Sequence, residues 1–443
     1  FEVDLLDLCF SEDFAQDIEE YLSQNEVSVV GATLRNTDDA CFATKDFLVP
    51  QFKGITDCLK AYTSAPLIIG GAGFSVMPEE ILDYCGLDFG IWGEGEYSLP
   101  LLISRVAKNE DFRDIPALVY RTWGGFRRNP PYYIDLSQLP APRRNTVDNP
   151  RYFALGGQGN IETKRGSPWD CPYCANPLGK EKGFRLRSPD SVADEIESLL
   201  ELDIDHINFC DSEFNLPEFH AEEICHKIIE RGLEEKMRWY AYLSPAPFSD
   251  EMAALFLRSG CAAVDFGVYS ADDRMLKNLG RDFTARDLER TTNICHRHGM
   301  VFIYDLLLGG PGETRETMRE TIERVKRLSP TRVGADMGVR IFPGSELAGL
   351  MKSQGLRGNP NLHGAIDGNE NFFFPIFYLS SELGPDALGY LAELVGGDER
   401  FFLSSKEAGE TSYYNYNENA LLVDAIKRGY RGAFWDILRR LGE

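Results

Sequence analysis

The sequence predicts an α/β protein in which a doubly wound α/β unit precedes a partial (β/α)6 barrel with a mainly helical C-terminal cap. Three observations predict it: short continuous runs of Val, Ile and Leu, an amphipathic stretch between most of them, and a Pro- and Asn-rich interruption between residues 129 and 158. Buried parallel strands read as unbroken apolar runs joined by helical crossovers, whereas half-exposed antiparallel strands would alternate.

In residues 1–128, residues 27–31, 66–71 and 87–92 read as strands, with helical spacing over 44–62 and 77–84 between them. Residues 115–120 and 126–128, around Gly124-Gly125, read as a closing hairpin. Asn129-Pro130-Pro131 and Leu139-Pro140-Ala141-Pro142 mark residues 129–158 as a surface linker. From 159 to 345 the strands are 161–164, 206–210, 239–243, 263–268, 301–308 and 333–342. Helical patterns fill the gaps at 189–202, 217–231, 250–259, 285–298 and 315–328; the first opens with Ser188 as N-cap and Pro189 at its first position. Six such units imply a curved parallel sheet whose chemistry lies at the strands' C-terminal ends. Residues 346–443 lose this rhythm and read as the aromatic, helical cap, with Tyr413 to Asn419 and Gly429 to Asp436 as a lid over the barrel mouth.

Composition narrows the function. Of 443 residues, 43% are hydrophobic and 26% charged, enough for a sizeable core over about three domains' length. Apolar runs such as 302–308 fall far short of the ~20 residues a bilayer requires. The formal charge of −24 repels phosphate backbones and anionic lipid, which argues against a nucleic-acid partner. Ten cysteines without a regular framework suit a reducing cytoplasm, and only Cys171 and Cys174 stand close together.

Those two lie in Lys164-Arg165-Gly166-Ser167-Pro168-Trp169-Asp170-Cys171-Pro172-Tyr173-Cys174, directly after the first barrel strand. A redox dithiol would need its first Cys at a helix N-terminus, yet Asn176, Pro177, Gly179 and Gly183 delay any helix until Ser188. A zinc knuckle would need a second ligand pair, and the next cysteine is Cys210 on another strand.

The segment resembles the cluster loop of the radical S-adenosylmethionine (SAM) superfamily, C-x3-C-x2-C, in which three thiolates hold a 4Fe–4S cluster and one iron is left to chelate SAM. Cys171 and Cys174 match the second and third positions and Tyr173 the aromatic before the last Cys, but the first position is Ser167. A hydroxyl is a hard, high-pKa ligand that iron–sulfur clusters rarely accept, so a labile or absent cluster is expected, and two readings stay open: a silenced site, or a natural member with a replacement ligand. Four further segments resemble the superfamily's SAM-binding elements. Asp211, Ser212 and Glu213 follow the second strand; Tyr269 and Ser270 follow the fourth, with Tyr269 where the family has Glu. Gly309 and Gly310 follow the fifth strand, and Arg340 ends the last. Glu213 and Tyr269 are the residues the resemblance assigns to catalysis.

The first unit resembles the flavodoxin-like (Rossmann-like) domain of the B12-binding radical SAM enzymes. Its turns carry Gly70, Gly71 and Gly73, then Gly93 and Gly95, where small residues let a corrin approach, and Thr33 and Arg35 fall at the lower face. The D-x-H-x-x-G motif of that group is missing, and no His precedes His206. The resemblance implies a cytoplasmic methyltransferase that uses the cluster, SAM and cobalamin to methylate an unactivated carbon or phosphorus of a small molecule. It also implies an electron donor such as flavodoxin or ferredoxin. Two alternatives stay open: a B12-independent radical SAM enzyme (aminocarboxypropyl transfer or a rearrangement), and a cluster-free protein that binds SAM or cobalamin.

Overall fold

The computed structural model describes residues 1–175, 182–403 and 419–442. In the first unit β1 (Val30–Thr33), β2 (Leu67–Gly70) and β3 (Phe89–Ile91) pair in parallel. The hairpin of β4 (Leu118–Thr122) and β5 (Gly125–Arg128) extends that sheet antiparallel. Helices Val49–Tyr62 and Pro78–Cys85 carry Pro50 and Pro78 in their first turns, where the fixed φ of proline suits the helix. The second stops at Gly86, in the left-handed conformation that glycine adopts without strain. Ile68, Ile69, Phe74, Ile81, Leu102 and Leu118 form this unit's core.

The barrel begins with β6 (Gly159–Ile161), followed by the short antiparallel pair β7 (Lys164–Arg165) and β8 (Arg185–Leu186). Then come β9 (His206–Phe209), β10 (Arg238–Leu243), β11 (Cys261–Tyr269), β12 (Phe302–Leu308) and β13 (Arg332–Met337). The expected first strand is thus cut short: Asp211 takes the Thr163 amide at 2.9 Å and the Lys164 ammonium at 3.1 Å, which turns the chain away from the sheet. The expected last strand also breaks. Gly338 has φ 83, and a Cβ there would lie 2.7 Å from the Phe42 ring, so the chain bends past Phe42 into β14 (Val339–Arg340). That strand joins β15 (Leu362–Gly364) and β16 (Ile376–Tyr378) in a small antiparallel sheet.

The C-terminal region is richer in strands than expected. Besides β14–β16 it supplies β17 (Phe401–Leu403), which pairs in parallel with β13 and covers that otherwise open edge. The barrel sheet runs β17-β13-β12-β11-β10-β9-β6, parallel throughout. Helix Phe434–Leu441, expected to begin within the lid, instead sets Trp435 against Tyr240, Ala263, Ile303 and Phe402, an apolar layer at the strands' N-terminal end, opposite the mouth. Most of the expected lid, residues 413–418, lies outside the described residues, as do Asn176 and Pro177.

Candidate active site

The turns after β1, β2 and β3 form one wall of a cavity of about 840 Å³, and the barrel supplies the other. Arg35, Gly71, Gly73, Gly93 and Gly95 line the first wall; Glu162, Arg165, Ala175 and Phe342 line the second. A Cβ at Gly71 would lie 2.5 Å from the Leu34 carbonyl oxygen, and one at Gly73 would lie 2.9 Å from the Asn36 backbone. Glycine therefore lets two turns stack backbone on backbone, leaving a flat face. Thr33 and Gly70, expected beside them, are not lining residues; the Gly70 carbonyl instead accepts the Leu34 amide at 2.9 Å. The flat wall, the volume and the acidic rim of Glu94, Glu96 and Asp38 fit a planar corrin with amide arms. With His206 the first histidine, no imidazole of this domain is available to the cobalt.

Ion pairs cross between the two walls. Arg165 meets Glu96 and Glu162 at 2.8 Å each, and Glu94 at 3.6 Å; Arg185 also pairs with Glu94. Burial pushes the Glu96 carboxyl up, but Arg165 outweighs it, and Glu96 titrates below the ordinary carboxylate range. Arg340 was expected to meet SAM. Its guanidinium is instead buried against Asp38 at 2.9 Å, joining β14 to the turn after β1.

Beyond Arg165 comes the Cys171–Cys174 turn, closed by the Cys174 amide donating to the Cys171 carbonyl at 3.0 Å. The Leu347 amide anchors the Pro172 carbonyl at 2.8 Å, and a Cβ on Gly280 would lie 3.1 Å from Pro172. Ala175, the next residue, already lines the interdomain cavity, so the cluster loop and the corrin wall adjoin. Ser167 accepts the Trp169 amide at 3.3 Å. As a donor set the loop fits two iron positions with thiols and offers an oxygen at the third. Among the described residues no group of three or more His, Cys, Asp or Glu could hold a metal ion.

The buried Arg281 organises the centre. It donates to Glu213 at 2.8 Å, lies 3.7 Å from the Cys171 sulfur and covers the Tyr269 ring at 4.7 Å. Glu213 also accepts the Trp169 indole N–H. Tyr269, at φ 61, accepts a hydrogen bond from the Tyr242 hydroxyl at 2.9 Å, and burial pushes its phenol up to about 12. Tyr173 packs edge-on against it with ring centroids 6.0 Å apart. Tyr173, Glu213 and Tyr269 thus converge with Cys171, as the motifs predict. Asp211 does not: it is spent on Thr163 and Lys164. The Ser270 hydroxyl bonds Thr321 at 2.9 Å, and the Gly309 amide donates to Glu313 at 3.3 Å. Among the described residues no hydrogen bond to the Ser212 side chain is seen, and Gly310 packs on Leu279. Arg281 and Tyr242 were missed, because one sits in a loop without a motif and the other between buried Ala241 and Leu243.

Residues 161–325 match the Radical SAM superfamily model and residues 1–103 the B12 binding domain. Tryptophan 2-C-methyltransferase of Streptomyces laurentii is 30% identical over 98% of this chain and 90% of that protein. The radical SAM methyltransferase TsrM of Kitasatospora setae, solved with tryptophan and a SAM analogue, superposes with a TM-score of 0.91 at 29% identity, covering 99% of this chain and 92% of that one. Its form with cobalamin and the 4Fe–4S cluster bound gives 0.89. OxsB, a cobalamin-dependent SAM radical enzyme, shares the fold at 16% identity and a TM-score of 0.69, over 99% of this chain and 67% of that one. The chain belongs to the cobalamin-dependent radical SAM methyltransferases.

Proposed function

We propose that this chain methylates a ring carbon of tryptophan or a closely related indole. The observation that carries the proposal is likeness to a tryptophan 2-C-methyltransferase along 98% of the chain, through both domains and the C-terminal region. The geometry agrees, since Ala175 next to Cys174 lines the corrin cavity and no domain movement is needed to bring the two cofactor sites together. When bound, cobalamin supplies the transferable methyl group, and the cluster with SAM supplies the chemistry that renews it.

Arg35 and the glycine wall would hold the corrin, while Cys171, Cys174 and the Ser167 hydroxyl would hold the cluster. Arg281 keeps Glu213 fixed beside Cys171, and the tyrosine pair lines the lumen next to them. A flavodoxin- or ferredoxin-type donor in a cytoplasmic setting completes the reading, to which ten cysteines outside any disulfide are suited. Among the described residues no helix is long and apolar enough to cross a membrane.

The test is anaerobic reconstitution of this chain and of Ser167→Cys with cobalamin, SAM, a low-potential reductant and L-tryptophan, followed by mass analysis. A 14 Da gain on tryptophan supports the reading. Methylation of neither tryptophan nor tryptamine by an iron-replete Ser167→Cys chain defeats it. A second reading has Ser167 itself behind it: a chain that binds SAM and cobalamin without turnover. In that case Ser167→Cys would take up iron and still leave SAM intact.

A further inference from the structure

Side chains two residues apart on a strand share a face, so the lumen of the barrel can be followed layer by layer. The lowest layer is Tyr240, Ala263, Ile303 and Phe402, sealed by Trp435. One step towards the strands' C-terminal ends stand Tyr242, Asp265 and Asp305, with Tyr242 and Asp265 directly paired in register. Asn208, Tyr242, Asp265, Tyr269, Asp305 and Leu307 all keep some solvent access, whereas the residues on either side of Tyr242, Asp265 and Asp305 are buried. Above an apolar seal, the lumen is therefore open to water and floored by two carboxyl groups.

The floor is built rather than accidental. Gly267 stands between Asp265 and Tyr269 on the same face, and a Cβ there would lie 2.0 Å from the Tyr242 hydroxyl. Its absence lets Tyr242 reach Tyr269, which stacks under Arg281 beside Cys171. Asp265 shares a side-chain hydrogen bond with Asp305, yet its Oδ1 is buried and takes no hydrogen bond from the described residues. Burial and the neighbouring Asp305 push its carboxyl well above the usual range. Such an oxygen costs free energy until a donor reaches it.

We propose that Asp265, with Asp305 beside it, receives a protonated amine of the substrate at the floor of the lumen. The proposal rests on the lumen being the substrate chamber of the methyltransferase and adds the class of compound it selects: an organic ammonium ion, held amine-down with its ring raised towards the cluster loop. An ammonium supplies three donors and a positive charge to two adjacent carboxyl groups, which favours their ionised form.

The test is binding of matched pairs, tryptamine with 3-ethylindole and phenethylamine with ethylbenzene, to the cobalamin-loaded chain by calorimetry. Each amine should bind at least ~10-fold tighter than its neutral counterpart, as expected of a charge-assisted hydrogen bond. Asp265→Asn should erase that preference while keeping affinity for the neutral compounds, and Asp305→Asn should reduce it. Equal affinity of the unmutated chain for amine and counterpart overturns the proposal whether or not either variant folds. So does an amine preference that survives in Asp265→Asn. An amine preference without methylation of tryptophan would remove the indole reading and leave this site standing; methylation of tryptophan without an amine preference would do the reverse.

Discussion

Arg165, two residues before Ser167, donates to Glu96 on the turn after β3 at 2.8 Å. One guanidinium thereby ties the base of the cluster loop to the turn that lines the corrin cavity. It is largely buried between three carboxylates and so exchanges little with water. Replacing it with Gln leaves those carboxylates facing one another. Arg165→Gln should lower cobalamin retention by roughly 10- to 150-fold, at ~1.5–3 kcal/mol for a hydrogen bond between charged groups. Corrin absorbance after gel filtration reads the effect, and retention equal to the unmutated chain would show that the pair is only a surface contact.

Ser167→Cys should raise bound iron towards four per chain after anaerobic reconstitution, because it restores a soft thiolate where a hydroxyl stands. The Trp169 amide that Ser167 accepts at 3.3 Å can point to sulfur with little rearrangement, so the fold should be unaffected. Iron and sulfide analysis decides it. Unchanged iron would remove position 167 from the ligand set.

The buried Asp38–Arg340 pair should behave as a single unit. Asp38→Ala alone should cost about 3–5 kcal/mol, because it strands a buried cation between the domains. Asp38→Ala with Arg340→Met should cost much less than the sum. Urea unfolding of the four proteins of the cycle gives the coupling, and additive losses would refute it.

Glu313 sets a pH dependence. Burial raises its carboxyl to about 7 from an ordinary value of 4.5, against hydrogen bonds from Thr317 and Gly309. Between those values the folded chain binds more protons than the unfolded one, so this group's contribution is greatest below about pH 4.5, falls as pH rises towards 7 and is flat above. Glu313→Gln, which stays neutral, should match the unmutated chain at pH 5 and exceed its stability at pH 8 by up to roughly 3 kcal/mol. Thermal melts at the two pH values test the sign.

What the sequence reveals and hides follows from how each feature is written in it. Continuous apolar runs mark β2, β10 and β12 because parallel strands are buried on both faces. Helix starts are equally plain: Ser188 and Thr314 cap their helices through the hydroxyls their positions require. The three-residue β17 is too short to carry a period, and only the open edge of β13 gives it a role. In the site, Cys171, Tyr173 and Glu213 were legible because their spacing is local to one loop or strand end. Arg281 was not, since its partners lie 68 and 110 residues away. The lumen acids did leave a trace. Asp265 and Asp305 are charged residues inside otherwise buried runs, where a carboxyl must have some reason to stand.

Trp435 makes the barrel a cul-de-sac. Among the described residues Trp435 closes the strands' N-terminal end, so an acceptor held at the Asp265 layer would enter and leave by the strands' C-terminal ends, on the side of the cluster loop. The ion pairs of Arg165 and Arg340 tie the first domain to the barrel on that same side.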